Sequence, residues 1–202
     1  MGCRGKGLIE GVKQVMNNMQ WYNEPPAWQM LADGMRLTTG AKTDFWRKTH
    51  YGFIRDNGHF YYQPVTGDFT AQVKITGQYQ VLYDQAGLMV RQDETTWLKT
   101  GIEFVEAVQN LSAVVTRDFS DWSVVPLWQP PESLWLRVQR RSEAIEVWYS
   151  LDGDQYQMLR LTHLSNAATL DVGLMAASPQ GDGCTILYEE FQLIAAGQPI
   201  EG

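Results

Sequence analysis

The chain has 202 residues, of which 44% are hydrophobic and 19% are charged, a composition typical of one globular domain rather than of a disordered segment. Its formal net charge is −7, which argues against nucleic-acid and anionic-membrane partners because both favour a basic face. No apolar run reaches the ~20 residues that a membrane-spanning helix needs, so we expect no membrane partner.

The first nineteen residues differ from the rest of the chain. Leu8, Val12, Val15, Met16 and Met19 recur at helical spacing, although glycines between and before them weaken a helix. Residues 1–19 are therefore either a frayed extension or an amphipathic docking helix. We place a single domain at residues 20–195 and a short tail at 196–202.

From there onward the hydrophobic pattern has a period of two, which is the period of a β-strand with one buried face. In the segment 97–105, Leu98, Ile102 and Phe104 alternate with Lys99 and Glu103. The same alternation predicts strands at 59–64, 68–76, 85–92, 111–117, 134–141, 144–150, 155–160, 169–176 and 184–194.

Turn residues separate these predicted strands. Asp56-Asn57-Gly58, Thr66-Gly67-Asp68, Asp152-Gly153-Asp154 and Asp182-Gly183 all supply residues that tolerate positive φ. Eight or more strands without intervening helical patterns indicate an all-β sandwich or barrel. The segment Ser120-Asp121-Trp122-Ser123 reads either as a functional element or as a loop whose polar side chains bond their own backbone.

Several segments in this order resemble one known family. They are Thr43-Asp44-Phe45-Trp46, Asp56-Asn57-Gly58, Tyr83 through Arg91, Trp97-Leu98-Lys99 with Gly101-Ile102-Glu103, and Ser120-Asp121-Trp122-Ser123. Together they resemble the regulation-of-enolase-type family, an uncharacterised group of the concanavalin-A-like lectin/glucanase superfamily. The resemblance covers about residues 20–195. It implies a two-sheet antiparallel jelly-roll sandwich, with the concave sheet face as the ligand surface, and it implies no reaction.

The polar face of the predicted strands is the first candidate site. If their strands are neighbours, Arg91, Lys99, Glu103 and Trp97 converge on one sheet face, where flat rings and charged groups are the side chains that sugar recognition requires. The alternative is an exposed face joined by ion pairs and aromatic packing. The candidate ligand-binding residues are Trp46, Asp84, Arg91, Trp97, Lys99, Glu103 and Trp122.

Paired carboxylates for glycoside hydrolysis are not apparent. The resemblance implies a Glu-x-Asp-x-x-Glu strand for a glucanase of this fold, and the sequence lacks it. The acids in Glu103–Glu106 and Glu143–Glu146 are three residues apart, so they face opposite sides of a regular strand. A pair drawn from separate strands, such as Glu103 with Asp84, stays open, and the catalytic residues are unknown.

No cofactor or metal is expected. His50, His59 and His163 show no ligand spacing, and Asp152-Gly153-Asp154 lacks the later ligands of a calcium loop, so it reads as a hairpin tip. Because Cys3 and Cys184 are the only cysteines, we expect no disulfide framework and a cytoplasmic protein.

Three functions follow as hypotheses. The first is a non-catalytic carbohydrate-binding or carbohydrate-associated module that takes a carbohydrate or other small molecule on the concave sheet face. The second is an enzyme acting on a sugar or sugar derivative through carboxylates from separate strands. The third is a protein-interaction or regulatory module with a protein partner.

Overall fold

The structure is a computed structural model, and it describes residues 16–195. The expectations for the tail at 196–202, for Cys3 and for residues 1–15 of the N-terminal extension lie outside the described residues. Of that extension, Met16 is fully buried and its carbonyl oxygen accepts a 2.8 Å hydrogen bond from the Tyr61 hydroxyl.

Within residues 16–195, sixteen strands form two large antiparallel sheets and one small one, which confirms the predicted all-β sandwich. Sheet I has the order β1-β6-β15-β8-β9-β10-β11. Its strands are β1 Gln20–Tyr22, β6 His59–Thr66, β15 Thr169–Ala177, β8 Gln85–Arg91, β9 Thr96–Val105, β10 Val108–Arg117 and β11 Phe119–Pro126.

Sheet II has the order β14-β13-β12-β7-β16-β3-β2. Its strands are β14 Gln157–His163, β13 Ala144–Ser150, β12 Leu134–Arg141, β7 Phe69–Gly77, β16 Thr185–Ala195, β3 Gly34–Thr38 and β2 Ala27–Met30. The third sheet is the hairpin of β4 Phe45–Arg47 and β5 Ile54–Asp56.

The main core lies between the two large sheets. Along β12, Leu134, Leu136 and Val138 are buried, whereas Trp135 and Arg137 between them are only partly buried. Leu88, Leu98 and their neighbours on sheet I face the same core. Burial of apolar side chains is worth roughly 25 cal/mol per Å², so this alternation fixes the register of each strand.

The predicted strands of the central and C-terminal chain are confirmed to within a few residues. Asp152-Gly153-Asp154 lies between β13 and β14, as predicted for a hairpin tip, with Gly153 at φ 84°. The loop alternative for Ser120-Asp121-Trp122-Ser123 is wrong: these residues lie in β11, where Trp122 pairs with Val114 of β10. The sequence did not predict this strand because it lies at the edge of the sheet and its polar side chains show no apolar alternation.

The outer face of sheet I, which is turned away from sheet II, is partly covered by the β4–β5 hairpin. Phe45 and Trp46 of the hairpin pack against Met89, Trp97 and Met175 of the sheet as a second apolar cluster. Arg47 ties the hairpin to the β10–β11 turn through a 2.9 Å ion pair with Asp118. Among residues 16–195, no helix is long and apolar enough to cross a membrane.

Candidate functional site

One part of the outer face of sheet I is closed by side-chain packing. Arg91 binds Asp56 of the hairpin through two hydrogen bonds of 2.8 and 2.9 Å, and its guanidinium lies 4.6 Å from the Tyr22 ring. Trp97 is 1% exposed, with its ring 6.3 Å from that of Phe45. We call this the closed region (Tyr22, Phe45, Asp56, Arg91 and Trp97). Its two charged groups bind each other, and its rings pack against other side chains of the protein.

The other part of the same face holds a pocket. It is small and partly open to solvent. It lies between the β4–β5 hairpin, the loop before β8, and strands β9 and β11. The lining residues are Asp44, Trp46, Tyr51, Phe53, Arg55, Tyr83, Gln85, Lys99, Glu103, Trp122, Pro179 and Gln180.

Glu103 of β9 is the carboxylate of this pocket. Its Oε2 atom accepts hydrogen bonds from the Ser112 hydroxyl at 2.7 Å and from the Trp122 indole N–H at 2.8 Å. Burial raises the pKa of the Glu103 carboxyl above its ordinary value of 4.5, and the charge of Lys99 opposes that rise. Within residues 16–195 no donor bonds Oε1, so one lone-pair face of the carboxylate is left for a ligand.

Lys99 lies on the same face of β9 as Glu103. Gly101 stands midway between them in the sequence. The Lys99 ammonium donates a 2.7 Å hydrogen bond to the carbonyl oxygen of Phe45 and lies 3.3 Å from Oδ1 of Asp44. An ammonium has three donors, and these contacts use two of them. Among residues 16–195, one N–H of the Lys99 ammonium therefore has no hydrogen-bond partner.

Aromatic rings form the walls. Trp46 lies 5.6 Å from Tyr51 and 6.3 Å from Trp122 between ring centroids, and Trp122 lies 6.3 Å from Tyr83. The hydroxyls of Tyr51 and Tyr83 are 2.9 Å apart. That hydrogen bond, together with burial, raises the pKa of Tyr83 to about 12, so the Tyr83 phenol stays protonated at neutral pH.

The floor between Lys99 and Glu103 is bare backbone. Gly101 stands between them on β9, and Gly87 of β8 is its cross-strand partner. A Cβ atom at Gly101 would lie 2.0 Å from the carbonyl oxygen of Ala86. Only glycine fits there, so the two strands can approach closely.

The candidate residues from the sequence divide between the two regions. Trp46, Lys99, Glu103 and Trp122 line the pocket, whereas Arg91 and Trp97 belong to the closed region. Asp84 is 1% exposed and does not line the pocket. Its carboxylate accepts from the Ser178 hydroxyl at 2.6 Å and from the backbone N–H groups of Gln80 and Val81, so it holds the loop before β8.

Sequence reasoning did not nominate several wall residues. Asp44 and Gln85 stood inside the motifs that carried the family resemblance, directly beside nominated residues. Tyr51 and Phe53 lie in the turn between β4 and β5, which has no strand periodicity to mark it. Among residues 16–195, no cluster of three His, Cys, Asp or Glu side chains suits a metal ion.

Comparison with known proteins agrees with this architecture. The model of a family described as "Protein of unknown function (DUF1349)" matches residues 21–195. The chain belongs to this family. "Regulation of enolase protein 1" of Saccharomyces cerevisiae is 37% identical over 188 residues, which are 93% of this chain and 95% of the yeast protein. The family resemblance read from the motifs is thereby confirmed.

Solved structures place this DUF1349 member among jelly-roll sandwiches. A functionally unknown protein from S. cerevisiae superposes with a TM-score of 0.86 at 38% identity, covering 92% of this chain and 98% of that one. A mutant GH43 protein, BlXynB of Bacillus licheniformis, gives 0.68 at 16% identity over 88% of this chain and 37% of that chain. The carbohydrate binding module CBM66 of Bacillus subtilis gives 0.55 at 13% identity, covering 88% and 98%.

Proposed function

We propose that this protein is a non-catalytic carbohydrate-binding module whose ligand enters the pocket over Glu103 and Lys99. The observation that carries the proposal is the coexistence, in one cavity, of aromatic walls with a carboxylate oxygen and an ammonium N–H left unbonded by the described residues. Apolar walls with a few convergent polar groups are the usual composition of a small-molecule site.

The chemistry of the pocket suits a sugar ring. A pyranose offers C–H groups to an aromatic face and hydroxyls that both donate and accept. Oε1 of Glu103 accepts from one hydroxyl, and the remaining N–H of Lys99 donates to another. Gln85, on the strand paired with β9 at Glu103, supplies an amide that can do either.

The structural neighbours support this ligand class by analogy. CBM66 of Bacillus subtilis is named a carbohydrate binding module, and the similarity spans nearly its whole length. At 13% identity the similarity to CBM66 shows the fold alone, and one fold hosts many functions. The support for a sugar ligand therefore comes from the pocket of this chain.

A non-catalytic role is favoured over glycoside hydrolysis because the second acid of the pocket is paired with a lysine. Hydrolysis needs two carboxyl groups that flank the scissile bond. Asp44, the other lining acid, is held by Lys99. The pair considered from sequence, Glu103 with Asp84, is not assembled around the pocket, since Oδ2 of Asp84 bonds the loop before β8 and Oδ1 bonds the Ser178 hydroxyl after β15.

A glycan array followed by isothermal titration calorimetry tests the proposal. Tyr51 is a wall ring that is 43% exposed, so its replacement spares the core. We expect Tyr51→Ala to weaken binding about five- to tenfold, which corresponds to ~1 kcal/mol for the loss of one aromatic contact. Trp128→Ala is the matched control, because Trp128 is 79% exposed and lies outside the pocket.

Two results would contradict the proposal. The first is a folded wild-type protein that binds no mono- or oligosaccharide on the array. The second is a loss of affinity that is equal in Tyr51→Ala and Trp128→Ala, because that would place the ligand away from the pocket.

A protein-interaction role is the second candidate, and an exposed apolar surface favours it. Phe119 and Val125 of β11 are 58% and 48% exposed, and Trp128 follows them. The yeast relative bears the name "Regulation of enolase protein 1". If this role holds, a partner purified with the wild-type protein is lost from Trp128→Ala and retained by Tyr51→Ala, the reverse of the pattern expected for sugar.

A further inference from the structure

Four aromatic rings close a circuit around the pocket. Trp46 contacts Tyr51 and Trp122, Trp122 contacts Tyr83, and the two tyrosine hydroxyls complete the ring at 2.9 Å. Neighbouring rings in this circuit are inclined by 70°, 89° and 78°. They therefore stand as the walls of a box, rather than as one stack.

The charge at the base of this box is negative. Glu103 has no basic side chain within 4.0 Å among residues 16–195, although it is only 6% exposed. The positive charge of Lys99 is matched by Asp44 at 3.3 Å. Of Asp44, Lys99 and Glu103, only Glu103 is without an ion-pair partner within 4.0 Å among residues 16–195.

The remaining cation of the lining, Arg55, is engaged at the rim. Its Nη1 atom donates a 3.4 Å hydrogen bond to the carbonyl oxygen of Pro179, and its guanidinium lies 5.0 Å from the centroid of the Phe53 ring. Among residues 16–195 Arg55 therefore makes no ion pair with Glu103 within 4.0 Å. A buried carboxylate without a partner is costly, and a cationic ligand offsets that cost.

Aromatic faces add to the attraction for a cation. The quadrupole of each ring carries negative potential over its face, and an ammonium within about 6 Å of the centroid is stabilised by it. Rings inclined to one another around a carboxylate are the arrangement by which proteins recognise substituted ammonium groups.

We propose that the pocket selects a sugar carrying a cationic amino group, with the ammonium inside the aromatic box beside Oε1 of Glu103. This inference rests on the proposed function and specifies its substrate class. The hydroxyls of the same sugar bind the free N–H of Lys99 and the Gln85 amide. Those two groups are the reason for expecting an amino sugar rather than a simple alkylammonium ion, which has no hydroxyls to use the remaining hydrogen-bonding capacity of Lys99 and Gln85.

The test compares sugars that differ at one group. Titration calorimetry measures the affinities of glucosamine, galactosamine and mannosamine against those of glucose, galactose and mannose, in which a hydroxyl replaces the ammonium. N-acetylglucosamine keeps the nitrogen and removes its charge, and tetramethylammonium supplies a cation without a sugar. We expect at least one amino sugar to bind about tenfold or more tightly than its neutral parent.

Glu103→Gln is the decisive variant. Its carbonyl oxygen still accepts from Ser112 and Trp122, so the pocket keeps its shape and loses its charge. We expect the ratio of amino-sugar affinity to neutral-sugar affinity to fall to within about twofold, because the amide that replaces the carboxylate still hydrogen-bonds a hydroxyl but offers no charge to an ammonium. Unchanged circular dichroism and melting behaviour at pH 7 establish that the variant is folded.

The outcomes separate this inference from the proposed function. Neutral and amino sugars that bind equally well overturn the inference and leave carbohydrate binding standing. Binding of tetramethylammonium without any sugar overturns both, because the site would then be an ammonium site only. A preference that persists in Glu103→Gln also overturns the inference, since Glu103 would not be its source.

Discussion

The indole N–H of Trp122 donates a 2.8 Å hydrogen bond to Oε2 of Glu103 across the strand that separates them. Trp122 lies on β11, Glu103 on β9, and Ser112 of the intervening β10 bonds the same oxygen at 2.7 Å. Three strands thus orient one carboxylate. A wall of the pocket and its acid are therefore a single hydrogen-bonded unit.

The first prediction concerns this bond. Trp122→Phe keeps an aromatic wall and removes the donor, leaving Oε2 of Glu103 with Ser112 alone. Because hydrogen bonds to charged groups contribute about 1.5–3 kcal/mol, we expect the free energy of unfolding to fall by roughly that amount in urea denaturation. Trp128→Phe, at an exposed tryptophan, is the control, and an equal loss in both variants would contradict the assigned role.

The second prediction concerns the glycine floor. A methyl group at Gly101 would meet the Ala86 carbonyl oxygen at 2.0 Å, which is backbone that cannot rotate away. We expect Gly101→Ala to destabilise the protein by ~3 kcal/mol or more, beyond the usual range of single substitutions. Gly40→Ala is the matched control because its nearest contact would be 3.5 Å. Thermal melting of both variants provides the comparison.

The third prediction concerns the ion pair between Arg91 and Asp56 in the closed region. Arg91 and Asp56 make two parallel hydrogen bonds, with side-chain exposures of 7% and 23%. Removing one partner of a fully buried pair costs about 3–5 kcal/mol, and the partial exposure of Asp56 reduces this to about 2–3 kcal/mol. We expect Arg91→Met and Asp56→Asn each to show such a loss in urea denaturation.

The double variant of this pair supplies the control. If the two residues act as one unit, the combined loss is smaller than the sum of the single losses by 0.5 kcal/mol or more. Strict additivity of the two losses would show that the ion pair contributes little to stability and that the single losses arise from packing.

The fourth prediction concerns His59 and acid stability. Its Nε2 atom accepts a 2.8 Å hydrogen bond from the Gly40 N–H, and its Nδ1 atom donates to the Asn23 carbonyl oxygen at 2.7 Å, an arrangement that requires the neutral ring. Burial lowers the pKa of His59 below 6.5, and the bond to Asn23 opposes that shift.

The direction of the pH effect follows from this shift. Below pH 6.5 the unfolded chain binds a proton that the folded chain resists, so the contribution of His59 is present above pH 6.5 and is lost as the pH falls. We expect the destabilisation caused by His59→Gln to be largest near pH 7.5 and to shrink toward pH 5. His163→Gln, at an exposed histidine, should show no such trend, and a pH-independent cost of His59→Gln would contradict the prediction.

The sequence by itself determined the sandwich and one shared face. Alternation of apolar and polar residues along β8, β9 and β12 dictates which side is buried, because a one-residue slip would turn every apolar side chain outward. That periodicity placed Arg91, Trp97, Lys99 and Glu103 on one side of sheet I. The periodicity does not predict which segment of the chain packs over these residues.

Only the tertiary structure decided how that face is used. The β4–β5 hairpin folds over one end, where Asp56 neutralises Arg91 and Phe45 covers Trp97. At the other end Trp46 and Tyr51 leave a cavity over Glu103. Strands of three residues have too short a pattern to be recognised in sequence. Long-range contacts such as Arg91–Asp56 and Trp122–Glu103 depend on strand order, which local periodicity does not encode.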